Sequence, residues 1–218
     1  MESMDMLLSV ALGVGLAAAV GLRVFLPLLV LSIAAYTGKV PLSESFQWLG
    51  TLPALLMLGI AAAAEIAAYY IPGVDNLLDA IATPTALIAG TVAAAAVMAD
   101  LPPIVKWTTA VIAGGGAAGL TQGVTSLLRA KSTATTGGLG NPVVATGELG
   151  GSLLLSVLAI LAPIVALVVV VLFCWAIVKG LRRLFARRET QAAVLAPGAP
   201  TASAQLPSPA DDGPPRLR

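Results

Sequence analysis

A chain of 218 residues that is 58% hydrophobic and 11% charged, with a mean hydropathy of +0.94, cannot present an ordinary soluble surface, which is about a quarter charged. Its apolar atoms must face lipid, and the expected product is an all-α, polytopic membrane bundle of about five membrane segments over residues 1–185, with a tail at 186–218. A net charge of +1 without a sustained basic patch in the apolar body excludes the footprint of a nucleic-acid binder.

Histidine is absent and Cys174 is the single cysteine. The Ser/His and Cys/His nucleophile pairs, imidazole metal sites, cysteine metal clusters and an internal disulfide therefore each lose a required part. No metal or cofactor is expected, and Cys174 reads as a small packing or lipid-facing residue.

The N-terminal Met1-Glu2-Ser3-Met4-Asp5 is acidic where a secretory signal is basic, so the first apolar segment is expected to be retained. That segment, residues 6–36, would be roughly 46 Å long as one helix, too long for an untilted span. Gly21, Arg23 and Pro27 at its middle predict a break, giving either two half-helices or one kinked helix. Arg23 at membrane depth would cost about 2.5–3.5 kcal/mol or more unless paired or hydrated. Glu65 is the obvious partner, unless Arg23 sits at a wet turn and Glu65 snorkels or is protonated.

A polar loop at 38–50 precedes a second span at 51–70, which ends in Tyr69-Tyr70, a pair expected at a membrane interface. Residues 74–81 place Asp75 and Asp79 one turn apart, opposite Val74, Leu77, Leu78 and Ile81, predicting a short helix lying in the interface. With Glu65 these carboxylates could attract a cation; as an alternative they are its solvated face. A short alanine-rich third span comes next, at 84–99.

The fourth span, 104–128, carries Gly115, Gly119 and Gly123 along one face, a ladder suited to close helix packing. A neighbouring stripe holds Gln122, Ser126 and Arg129, with Thr121 and Thr125 beside it. Lipid would not tolerate that face, which should border protein, a water-filled cavity or a solute path. A glycine-rich loop at 129–151 includes Asn141; it is either an external loop or backbone folded into the bundle. The fifth span, 152–178, contains Pro163 and ends in a basic run from Lys179 to Arg188, which by the positive-inside rule puts the C-terminus in the cytoplasm. Residues 190–218 are Pro/Ala/Ser-rich without periodicity and are expected to be disordered. Ala19-Val20-Gly21-Leu22 and Ala117-Ala118-Gly119-Leu120 form a faint repeat, either a duplication or a coincidence of alanine-rich sequence.

Three ordered motifs, Gly21-Leu22-Arg23-Val24-Phe25-Leu26-Pro27-Leu28, the stretch from Glu65 through Pro72-Gly73-Val74-Asp75 to Asp79, and Thr135-Thr136-Gly137-Gly138-Leu139-Gly140-Asn141-Pro142, resemble the bacterial membrane family catalogued as domain of unknown function 4126, over residues 6–178. In the family pattern Asp-Lys stands where this chain has Tyr69-Tyr70. The resemblance implies fold, membrane location and candidate positions, and supplies no substrate; the location expected is the inner membrane. The leading expectation is a transporter or channel-like protein for an ion or small polar solute, embedded in the lipid bilayer as a homo-oligomer. The alternatives are a non-transporting scaffold and, last, an intramembrane enzyme.

Overall fold

The computed structural model describes residues 2–71 and 74–195. Every regular element among them is helical: α1 (Glu2–Val20), α2 (Phe25–Tyr36), a 3₁₀ turn (Glu44–Gly50), α3 (Leu52–Ala68), α4 (Val74–Val97), α5 (Pro103–Thr109), a π-helical turn (Ala110–Gly115), α6 (Gly116–Thr136), α7 (Asn141–Leu161) and α8 (Pro163–Leu195). Four helical stretches are long and apolar enough to cross a membrane, Ser3–Val20, Pro103–Thr136, Asn141–Leu161 and Pro163–Gly180; the 3₁₀ turn and α3, bent by 69°, make a fifth if they form one span. The chain is an all-helical, multi-pass membrane bundle.

Met1–Trp175 forms one compact unit, with α1 at its centre against α4, α6, α7 and the π turn. The segment from Ala176 is a second unit and carries exposed Lys179 and Arg182. In the first, Leu16, Ala17, Ala18, Ala19 and Val20 are buried together with Ala93, Ala94, Ala95 and Ala96 of α4. Side chains this small let backbones approach, which is how helices gain packing energy where lipid removes the hydrophobic drive. A Cβ on Gly90 would lie 2.4 Å from the Ala118 Cβ, and one on Gly114 would lie 2.6 Å from the Ala94 Cβ. The expected ladder is used in part: a Cβ on Gly115 would meet Thr91 Oγ1 at 2.7 Å and one on Gly119 would meet Leu87 at 2.6 Å, whereas Gly123 faces open space.

Four boundaries differ from the sequence expectation. The interfacial helix at 74–81 and the third span at 84–99 are one helix, α4, with Pro84 inside it; membrane helices accept such a proline when neighbours satisfy the freed backbone. The loop at 129–151 is mostly helix. There, Thr135 and Thr136 turn their hydroxyls back to the carbonyls of Lys131 and Ser132 (2.9 and 2.7 Å), which satisfies them within the helix, and α6 continues until Gly137 and Gly138 (φ 62° and 92°) turn the chain. Pro142 then starts α7 in its first turn. The fifth span divides at Ala162 (φ −144°, ψ 71°), because Pro163 drives its predecessor out of the helical region. Finally, α8 runs on to Leu195; residues 196–218, most of the expected tail, lie outside the described set.

Close packing at Gly90 predicts that Gly90→Ala destabilises the bundle by about 1–3 kcal/mol through overpacking. Gly123→Ala, facing open space in α6, should be neutral or slightly stabilising. Thermal unfolding of the purified protein compares the two; equal losses would contradict the packing described.

Candidate functional site: a buried charge cluster at a helix break

Between α1 and α2 the chain leaves helical geometry at Gly21-Leu22-Arg23-Val24. Only glycine fits at position 21, since a Cβ there would stand 2.3 Å from the Ala118 carbonyl oxygen. A break in an apolar bundle strands carbonyls on one side and amides on the other, and each must be satisfied internally. The Ala19 carbonyl accepts from Leu22 N and Arg23 N (3.0 and 3.2 Å) and from the Ser152 hydroxyl of α7 (3.1 Å). Across the break, the Val24 and Phe25 amides donate to Glu65 Oε1 and Oε2 of α3 at 2.7 and 3.0 Å. Glu65 thus serves from another helix as the acidic cap of α2, where the positive end of the helix dipole favours a carboxylate.

Arg23 is 1% exposed. Its Nη2 donates to the Ala145 carbonyl at 2.9 Å and lies 3.7 Å from Glu148 Oε2, both residues of α7. Glu148 is gripped from α6 by Arg129, whose Nε donates to Oε1 at 3.0 Å and whose Nη2 donates to Oε2. This two-pronged geometry is the strongest form of guanidinium–carboxylate pairing. The guanidinium carbons of Arg23 and Arg129 lie over one ring, that of Tyr69, 3.9 and 4.0 Å from its centroid. Two arginines, two glutamates and a tyrosine, drawn from the break, α3, α6 and α7, therefore share one enclosed site, all 7% exposed or less. The formal charges of these four ionisable groups cancel.

Arg23 and Glu65 come together in this site, Glu65 accepting the two amides that follow Arg23 and Arg23 lying 3.7 Å from the carboxylate of Glu148. Tyr69, expected at the membrane interface with Tyr70, is instead 5% exposed under the two arginines. Tyr70 does lie at the surface and bonds Thr146 at 2.9 Å. On the polar stripe, Gln122 and Thr125 are buried, Gln122 Nε2 donating to Ser126 Oγ at 3.2 Å and Thr125 Oγ1 to the Gln122 carbonyl at 3.0 Å. Thr121, beside that stripe, is also buried and donates to the Ala117 carbonyl at 2.9 Å. Asn141 is buried where α6 turns into α7, its Nδ2 donating to Thr133 Oγ1 at 3.0 Å. Asp75 and Asp79 sit on the α4 backbone, but their side chains fall outside the described set. Among the described residues no three His, Cys, Asp or Glu side chains gather as a metal-ligand set.

A cavity of about 460 Å³ lies between the start of α2, α3 and α4, lined by Phe25, Ala61, Ala64, Glu65, Tyr69 and Thr85 among others. Glu65 is the one member of the charge cluster with a formal charge on this wall. A second cavity, of about 430 Å³, is walled by Leu22, Leu154, Leu158, Val169 and Phe173, with Thr121 as its polar edge.

Glu148 escapes the sequence reading because a span starting at residue 152 leaves it in a loop. The signals that reveal it are the Gly137-Gly138 stop and Pro142 as a first-turn residue, which start a helix early enough to carry Glu148 into the bundle.

Glu148→Gln leaves two buried arginines without their shared carboxylate and should cost about 3–5 kcal/mol. Adding Arg129→Gln should recover part of that loss, because it removes one of the stranded charges. Denaturation of the single and double variants provides the cycle; strictly additive losses would show that the two residues do not interact.

No curated protein and no solved structure matches the chain. A family model does, across residues 10–183, so the chain belongs to the family described as Domain of unknown function (DUF4126).

Proposed function

We propose that the protein is a small transporter or channel-like protein that moves an ion or small polar solute, with the Arg23–Glu65–Tyr69–Arg129–Glu148 cluster as its functional centre, and that it catalyses no reaction. The observation that carries the reading is the convergence of four ionisable side chains at a broken helix beside a cavity that one of them, Glu65, lines. Ionisable groups inside membrane segments are costly and mark solute or ion paths more often than they serve packing. A broken helix supplies the other half of such a site, since its amide end holds the Glu65 carboxylate at the cavity. This reading sets the protein in the bacterial inner membrane, and the basic run from Lys179 through Arg182, Arg183, Arg187 and Arg188 supports a cytoplasmic C-terminus.

One observation favours a second reading, a membrane scaffold. The Arg129–Glu148 pair is enclosed and doubly bonded, as a rivet joining α6 to α7 would be. Flux separates the two readings.

Purified protein in liposomes loaded with a pH-sensitive dye, or with radiolabelled Na⁺ or K⁺, is expected to pass at least one of H⁺, Na⁺ and K⁺ well above protein-free vesicles. Glu65→Gln should abolish that flux while incorporation and oligomeric state stay unchanged. Vesicles as tight as the protein-free blank would favour the scaffold.

A further inference from the structure

The cavity between α2, α3 and α4 has a property the charge cluster behind it lacks. Among the described residues the cluster balances its formal charge, and the cavity meets it through Glu65 and Tyr69, of which Glu65 carries the formal charge. Phe25, Ala61, Ala64, Ala68, Ile81 and Ala82 supply an apolar wall, Glu65 supplies the formal charge, and Thr85 adds a hydroxyl. Both Glu65 oxygens accept backbone amides, yet each carboxylate oxygen has a second lone pair to offer. A volume of about 460 Å³ is the size of site that encloses a compact organic molecule. An inorganic cation would be held only weakly here, as conduction requires, because such a wall supplies few oxygen ligands to replace its hydration shell. An anion would face the carboxylate.

We propose that this cavity binds an amphiphilic organic cation, its apolar body against α3 and α4 and its charge against Glu65. Such a cation keeps its charge diffuse, so entering an apolar site sacrifices little hydration, and the Phe25 ring beside Glu65 offers a further electron-rich face. The cluster behind the wall holds Glu65 in place through the helix break, so the carboxylate is positioned before any ligand arrives. Only passage of the bound cation across the membrane rests on the transport reading; occupancy of the cavity stands or falls alone.

Radiolabelled tetraphenylphosphonium, a compact lipophilic cation, is the probe, with the whole protein in lipid nanodiscs and empty nanodiscs as the blank. The parent should bind it saturably, one per chain. Ala61→Phe, which fills the cavity and leaves every charge in place, and Glu65→Gln should each weaken binding by roughly tenfold or more. A matching size-exclusion profile shows that each variant is folded. Binding that matches the blank, binding unchanged in Ala61→Phe, or binding lost in Ala61→Phe but retained in Glu65→Gln would each overturn the proposal. The flux of H⁺, Na⁺ and K⁺ is measured separately, so loss of this inference leaves the transport reading to its own test.

Discussion

Everything at the centre of this protein depends on one constraint: the chain breaks its helix at Gly21-Leu22-Arg23-Val24 inside the bundle, where backbone groups have no water to satisfy them. The carbonyl side is closed locally and by Ser152, and the amide side is closed by Glu65. Once Glu65 and Ser152 hold the two ends, α3 and α7 are fixed against the break. Arg23, which the break carries inward, then demands a carbonyl and a carboxylate, and α7 supplies both in Ala145 and Glu148. Arg129 and Tyr69 complete the balance of charge and packing around them.

The small residues are the other half of the same design. The break fits only because α6 lies close enough that its Ala118 carbonyl occupies the space a side chain at position 21 would need. That approach depends in turn on Gly90 and Gly114, which let α4 and the π turn close up. The π turn at Ala110–Gly115 leads directly into α6, the helix that carries Arg129 to the cluster. Packing and electrostatics are therefore coupled: a methyl group added in the alanine-rich core acts on the helices that bring the charges together.

The break itself was legible, since glycine, arginine and proline cannot sit together in an apolar run without consequence, and Glu65 was legible as an ionisable group in the second span. The form of their relationship was not. Sequence shows that a positive residue needs a negative one, but it does not show that the carboxylate would cap backbone amides while a second carboxylate, on another helix, lies against the arginine. Glu148 and Tyr69 were hidden for different reasons. A run of threonines and glycines reads as loop when their hydroxyls in fact bond within their own helix, and that reading placed Glu148 outside the bundle. Tyr69 next to Tyr70 at a helix end matches an interface pattern, and only the tertiary fold separates the buried ring from the exposed one. The merging of two expected helices into α4 shows the same limit, because Pro84 is a stop signal in water and a tolerated residue among packed membrane helices.

The centre of the bundle rests on Glu65 closing the amide side of the break. Hydrogen exchange of the peptide spanning residues 21–26, measured in nanodiscs for the parent and for Glu65→Ala, tests it most directly, because amide protection reports local opening. This peptide should be protected in the parent and should exchange selectively faster in the variant, with the α4 and α7 peptides unchanged. Exchange in the parent as fast as that of an unstructured peptide of the same sequence, or protection indifferent to the loss of Glu65, would sink it.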